Sequence, residues 1–362
     1  MKILINLLSE QTIPNLVAIK HFRADKVLAL STKEYKNQFS FFEEVSAVPH
    51  EMIEVEAYNL QKNLGVLGAI LQKVKGDELI INYTGGTKIM AMSVMLKVLL
   101  SAEQAVSLAY INTQNLLVEL IHLGADKTLK AENQPIMVSI SIDEYFKMKG
   151  EEIDTYDFEM TKQESERLVL SKQLMKSPQL ATIFKKQHAF FKNNRPLPSH
   201  RVSTSDKFDL FWDSKEIILR QGKHLFEYSH GDGGEYFTGA WLEELVFSKL
   251  NKSNRFDQVL KNLKINFKTG LSKFNKNEMD VVVSKGFKSA FVECKAGNIK
   301  QEHVYKLHAI TNYFLGSFGV PILIARHKPQ ANIMEKCKDL GVYVFTPWQY
   351  DYLDIEIEKL LK

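Results

Sequence analysis

Asp280, Glu293 and Lys295 are the one combination in this 362-residue chain whose types and spacing suit chemistry at a phosphate. Val281–Val283 and Ala290–Val292 read as two short apolar strands joined by a turn through Gly286. Side chains alternate faces along a strand, so Glu293 and Lys295 point the same way. A hairpin brings Asp280, near the start of the first strand, close to Glu293, near the end of the second. Two carboxylates can hold Mg²⁺ or Mn²⁺, and the lysine can orient or deprotonate a water beside a phosphate. A hairpin with solvated charges is the alternative that spacing alone leaves open.

The elements around this hairpin bear on the choice. Glu235–Leu250 reads as a helix with Trp241, Leu242, Leu245 and Val246 at core spacing. Its Glu243 lies one turn after Gly239, whose missing side chain lets another element approach; Glu244 is the neighbouring candidate if the helical phase differs by one. Cys294 faces the core, so only its carbonyl remains as a ligand. Gln301 and Lys306, on a following helix, are further candidates for phosphate contact. Lys264, Lys268, Lys273 and Lys276 cluster with Phe267 and Phe274 ahead of Asp280, a basic approach for a polyanion. Val320–Ala325 and Val342–Phe345 read as buried strands of the same sheet. The histidines, His224, His230, His303 and His308 among them, are scattered and read as surface or structural groups.

Residues 1–145 have a different texture, with apolar strand-length runs alternating with helix-length stretches. The strands are expected at Ile3–Leu8, Lys26–Ser31, Met52–Val55, Glu78–Thr84, Ala105–Asn112 and Leu116–His122, the last two as an antiparallel edge hairpin. Helices are expected over Pro14–Phe22, Asn59–Lys75 and Ile89–Ser101. The pattern implies a Rossmann-like parallel sheet, whose ligands bind beyond the carboxyl ends of the strands. Two loops fall there: Ser9-Glu10-Gln11-Thr12, and Asn82-Tyr83-Thr84-Gly85-Gly86-Thr87-Lys88. Paired glycines let backbone approach a ligand, and free amides at a helix start attract phosphate. Neither the Walker spacing nor G-x-G-x-x-G is present, which disfavours nucleotide hydrolysis and hydride transfer. A Gly-Gly turn that merely opens a helix is the plain alternative.

Composition sets the outer bounds. A hydrophobic share of 45% and a charged share of 25% describe a globular protein, and a formal charge of +4 does not by itself announce nucleic acid. Two cysteines, Cys294 and Cys337, exclude a disulfide framework or a cysteine-rich zinc site. No run approaches a membrane span, and the N-terminus reads as a buried strand, so the cytoplasm is the expected location. Residues 146–228 read as a connector with an acidic start, the basic segment Lys185–Arg195 and a break at Pro196 and Pro198.

The N-terminal element order with Asn82–Lys88 resembles the CARF domain, the sensor of cyclic oligoadenylates in type III CRISPR defence. Gly239-x-x-x-Glu243, Asp280 and Glu293-Cys294-Lys295 resemble the PD-(D/E)xK restriction-endonuclease-like nucleases, with Met279 where the motif has proline. The expected fold is therefore α/β: a CARF domain over 1–145, a connector over 146–228 and a nuclease domain over 229–362. The resemblance implies a homodimer that binds cyclic tetra-adenylate through Ser9, Gln11, Thr84, Gly85, Gly86, Thr87 and Lys88. It implies Mn²⁺ or Mg²⁺ at Glu243, Asp280, Glu293 and the Cys294 carbonyl, with Lys295 at the attacking water and single-stranded DNA or RNA as substrate. A messenger-independent restriction or repair nuclease, and a CARF regulator that binds nucleic acid without cutting it, are the other two readings.

Overall fold

The computed structural model describes residues 1–10, 12–101, 103–176, 200–204, 208–213, 215–222, 224–229, 236–266 and 277–362. Gln11, the 185–195 segment, Pro196, Pro198, His230, Phe267, Lys268, Lys273, Phe274 and Lys276 lie outside the described residues. The chain divides into two compact units, one of Met1–Glu152 and one that begins at Ile153.

The strands of the first unit are β1 (Lys2–Leu7), β2 (Lys26–Ser31), β3 (His50–Glu54), β4 (Glu78–Asn82), β5 (Val106–Asn112), β6 (Leu117–Leu123) and β7 (Leu129–Pro135). Its helices are α1 (Ile13–Phe22), α2 (Lys36–Ser46), α3 (Leu60–Lys73), α4 (Lys88–Ser101) and α5 (Ile142–Met148). One seven-stranded sheet runs β3-β2-β1-β4-β5-β6-β7, parallel from β3 to β5 and antiparallel beyond. The central strands KILINL and KVLALS are buried almost throughout, as both covered faces of a parallel sheet require. Ile5, Leu28, Ile81 and Leu108 form part of one core cluster, and burial of each such side chain contributes about 1.5–3 kcal/mol. The expected β5–β6 hairpin is present, but β7 continues the sheet past it and forms the edge. The polar sequence of β7, LKAENQP, carries no strand signal. The strand order reverses between β1 and β4, so the loops after these two neighbours open side by side.

The second unit contains β8 (Glu152–Asp157), α6 (Lys162–Lys176), β9 (His200–Ser203), β10 (Phe208–Trp212), β11 (Glu216–Gln221) and β12 (His224–Ser229). It continues with α7 (Trp241–Lys252), β13 (Gln258–Asn266), β14 (Asn277–Lys285), β15 (Lys288–Lys295) and α8 (Gln301–Leu315). β16 (Gly319–Ala325), α9 (Ala331–Asp339), β17 (Tyr343–Phe345) and α10 (Leu353–Leu360) complete it. Its main sheet runs β17-β16-β15-β14-β13-β8, and β9–β12 form a separate antiparallel sheet. Residues 146–228 are thus not one connecting element, because β8 and α6 are integral to this unit. Trp241, Leu242, Leu245 and Val246 of α7 share a core with Val281, Val283, Val292 and Ile324, which fixes the helix over the strands. Among the described residues no helix is long and apolar enough to cross a membrane.

Candidate functional site

The β14–β15 hairpin turns at Gly286, whose φ of 59° is the left-handed region glycine enters freely, and pairs Val281 with Val292. One step further in the same register, Asp280 stands across from Glu293. Asp280 Oδ2 accepts the Cys294 amide at 2.6 Å, and Lys295 forms an ion pair with Glu293. Glu243 enters from the first turn of α7. Burial, then the charges of Glu243 and Glu293, hold the Asp280 carboxyl well above its ordinary range. Burial raises Glu243 to about 7, with Lys295 opposing the rise and Glu293 and Glu278 adding to it. Burial works against the Lys295 ammonium, but Glu293 and Asp280 outweigh it and raise its pKa. Lys295 and Glu293 are thus in direct contact, and Asp280 and Glu243 lie close enough for their charges to act on both.

The helical phase is fixed by a residue the sequence reading did not single out. Arg167 of α6 binds both oxygens of Glu244, the Nε–Oε2 contact being 2.9 Å, and its guanidinium lies 4.5 Å over the Tyr236 ring. The Tyr236 hydroxyl donates to the Arg167 carbonyl at 3.2 Å and stands 2.7 Å from Ser171 Oγ. With Glu244 committed to α6, the residue before it, about 100° around the helix, is the one turned to the other carboxylates. That residue is Glu243. Gly239 is not demanded by crowding, since a Cβ there would meet only Glu243 Oε1, at an ordinary 3.8 Å.

The donor set suits a divalent cation. Three crowded carboxylates with one lysine carry surplus negative charge, and a hard cation prefers oxygen ligands. Among the described residues no three Asp, Glu, His or Cys side chains already stand at ligand spacing. Asp280 is turned to the Cys294 amide and Glu293 to Lys295. The Cys294 side chain lies in the core, and burial, then Asp280, pushes its thiol well up. Gln301 and Lys306 are exposed on α8; His303 Nδ1 accepts the Lys300 amide at 3.2 Å, and His308 Nε2 lies 2.9 Å from Asn312 Nδ2.

At the carboxyl ends of β1 and β4 in the first unit, three fully buried asparagines join the two expected loops. Asn82 Nδ2 donates to Asn6 Oδ1 and Asn15 Oδ1, both at 3.0 Å, and Asn15 Nδ2 donates to the Leu7 carbonyl at 3.1 Å. Asn82 Oδ1 accepts the Thr84 amide at 3.1 Å and hydroxyl at 2.6 Å, and Thr84 Oγ1 accepts the Ile111 amide at 2.6 Å. The Thr87 hydroxyl donates to the Ala57 carbonyl and accepts the Met90 amide at 3.2 Å, which starts α4. Both threonine hydroxyls thus already donate inside the protein and have only a lone pair to offer a ligand. A Cβ on Gly85 would lie 2.2 Å from the Leu7 carbonyl oxygen and 3.3 Å from Ser9 Oγ, so the two loops touch here. Gly86 has φ +73°, and Lys88 alone of residues 84–88 is exposed. Sequence reading quoted Asn82 but missed Asn6 and Asn15. The available signal was a polar residue ending each apolar strand, ILIN and LIIN, and the register pairs these two directly.

These two sites define a sensor-and-effector protein with a Rossmann-like sensing unit and an α/β nuclease unit. Residues 3–145 match the Card1 CARF domain family and residues 233–357 the Card1-like endonuclease domain. The chain belongs to the CARF-domain nucleases. Its fold is similar to that of Can2 from Sulfobacillus thermosulfidooxidans, solved in complex with cyclic tetra-adenylate, with TM-score 0.77 and 18% identity over 100% of both chains. It is also similar to protein VC1899 from Vibrio cholerae, with TM-score 0.75 and 14% identity over 99% of this chain and 97% of that one. A type III CRISPR defence DNA nuclease activated by cyclic oligoadenylate matches with TM-score 0.58 and 14% identity, over 97% of this chain and 51% of its own length. At such identities the likeness is one of fold. No curated protein matches the chain.

Proposed function

We propose that this chain is a cyclic-oligoadenylate-activated, metal-dependent endonuclease that works as a homodimer in the cytoplasm, in type III CRISPR defence. The observation that carries it is the convergence of Glu243, Asp280, Glu293 and Lys295 in the unit that matches an endonuclease, on a chain whose other unit is a CARF domain. Mn²⁺ or Mg²⁺ held by Glu243, Asp280, Glu293 and the Cys294 carbonyl would stabilise charge on the phosphate and make a bound water more acidic. The neighbours of Lys295 keep it an ammonium, so it acts by donating hydrogen bonds to the attacking water and to the phosphate oxygens. In the first unit, the Gly85–Lys88 backbone at the α4 start and the Lys88 side chain form the anion-binding end, with Ser9 beside them.

The homodimer has a physical basis in α4. That helix, KIMAMSVMLKVLLS, leaves Met92, Leu99 and Leu100 exposed, Leu100 by 77%. A second copy meeting the same face about a two-fold axis would cover this stripe and set two Gly85–Lys88 loops around one ring ligand. Leu99→Glu with Leu100→Glu is expected to yield a monomer by light scattering and to abolish activation; a variant that stays dimeric removes α4 from the interface.

The titration of Glu243 gives a further expected result. Its folded-state pKa of about 7 lies above its ordinary 4.5, so its protonation stabilises the metal-free fold below pH 4.5, and that contribution is lost as pH rises through about 7. A divalent cation takes the place of the proton. The rise in melting temperature caused by Mn²⁺ should therefore be several-fold larger at about pH 8 than at about pH 5.5. An equal rise at both would detach Glu243 from the metal.

Cleavage of single- and double-stranded DNA and RNA, assayed with Mn²⁺ or Mg²⁺ and with or without cyclic tetra-adenylate, tests the whole reading. Cleavage is expected only with metal and messenger together. Equal activity without messenger would point to a restriction or repair nuclease, and binding without cleavage to a regulator.

A further inference from the structure

The strand ends that present Glu293 and Lys295 lead to a turn that the catalytic cluster does not use. β15, β16 and β17 are parallel; Lys295 is level with Ala325, and Ile324 with Phe345, so Thr346 stands level with Lys295 two strands away. At ordinary strand spacing that separation is about 10 Å. The turn Pro347–Tyr352 begins there and is closed by reciprocal hydrogen bonds: Thr346 N donates to Gln349 Oε1 at 3.0 Å, and Gln349 N to the Thr346 carbonyl at 2.9 Å. Its far side is tied to the catalytic helix, where the Tyr350 hydroxyl donates to the Leu245 carbonyl at 2.9 Å, two residues beyond Glu243. Trp348 stands out from this doubly fastened turn with 93% of its surface exposed, and Tyr352 is exposed nearby. Tryptophan is ordinarily well buried, because its large ring gains most from leaving water. Here a rigid turn holds it out beside the catalytic strand ends.

We propose that Trp348 is a stacking platform for a base of a single-stranded nucleic acid whose scissile phosphate lies at Glu293 and Lys295. The inference rests on the nuclease reading of this unit and deepens it by naming a residue that holds the substrate strand. Every base has a π-face, so an indole accepts any of them without sequence preference. In a duplex both faces of an internal base are already stacked, so the platform favours a single strand. Exposed aromatic rings also serve protein partners, but the two tethers, one level with Lys295 and one on the helix of Glu243, hold the turn that carries this ring beside the strand end of Glu293 and Lys295.

The test uses the full chain with Mn²⁺, cyclic tetra-adenylate and a short fluorescein-labelled oligothymidylate. Trp348→Ala should raise the KM for this strand and its dissociation constant about 10-fold or more, with a much smaller change for a duplex, and Trp348→Phe should recover most of the loss. Strand binding should quench indole fluorescence in the native chain, and the quench should vanish in Trp348→Phe. Unchanged strand affinity and KM in Trp348→Ala, with wild-type cleavage intact, would overturn the platform and leave the nuclease reading standing. Absence of cleavage by the wild type would strike the nuclease reading, and the affinity and quenching measurements would still decide the platform.

Discussion

Asp280→Asn and Lys295→Ala should each reduce messenger-stimulated cleavage by about 1,000-fold or more, equivalent to about 4 kcal/mol of transition-state stabilisation, while cyclic tetra-adenylate binds as before. Asparagine at 280 matches aspartate in size, and its Oδ1 can still accept the Cys294 amide that Asp280 Oδ2 now accepts at 2.6 Å. What it removes is charge. That charge is unfavourable in the metal-free fold, since burial and the carboxylates of Glu243 and Glu293 hold the Asp280 pKa well above its ordinary value. The Asp280→Asn protein should therefore melt no lower than the native chain, and above neutral pH without metal it should melt higher. A loss of activity with a gain in stability separates chemistry from misfolding. Lys295→Ala should behave oppositely, because it strips the ammonium that lowers the Glu243 pKa and pairs with Glu293. Its metal-free form should lose stability as pH rises, and its cleavage should be absent at every pH. Undiminished cleavage in both variants would place the chemistry elsewhere in the chain.

The meeting of Asp280, Glu293 and Lys295 was legible because its geometry is local. An antiparallel hairpin converts sequence separation directly into contact, so Asp280 and Glu293 needed only a turn at Gly286 to be placed together. Glu243 was harder, since a helix offers several phases; the choice between Glu243 and Glu244 depends on Arg167, 77 residues from its partner, in a stretch read as a connector. Nothing within α7 itself encodes that partner. β8 escaped for a related reason, since its sequence EIDTYD is polar and joins the sheet only through β13. In the first unit the apolar runs announced the parallel strands, whereas β7, polar and at the edge, did not. The Thr84–Lys88 loop was visible as a motif, but the roles inside it were not. Its hydroxyls looked like ligand contacts, and the structure shows them already committed to Asn82, Ile111, Ala57 and Met90. A motif records which residues a loop needs without distinguishing those that touch a ligand from those that hold the loop still.

That distinction makes Gly85 the residue on which the sensor depends most. Gly85→Ala is expected to raise the concentration of cyclic tetra-adenylate needed for half-maximal cleavage by about 100-fold or more, against about tenfold for Gly86→Ala. The new methyl at 85 would sit 2.2 Å from the Leu7 carbonyl oxygen, far inside contact distance. A flexible side chain could swing away, but this oxygen belongs to the backbone at the end of β1 and accepts the Asn15 side chain at 3.1 Å. Asn15 in turn is held by Asn82, on the strand that leads into the same loop. The carbonyl cannot yield without breaking the asparagine network, so the loop must, and the amides of Gly85–Lys88 move with it. At Gly86 the penalty is of another kind: φ is +73°, which costs an alanine about 1–2 kcal/mol, and the nearest atoms are Leu7 Cβ at 3.1 Å, a tight but not overlapping contact, and the Met90 methyl and sulfur at 3.1–3.3 Å, on a flexible side chain that can adjust. Titration calorimetry of each variant with cyclic tetra-adenylate, alongside the cleavage curve, checks both numbers. An unshifted curve for Gly85→Ala would mean that the messenger does not bind through this loop, because the methyl cannot be placed there without displacing it.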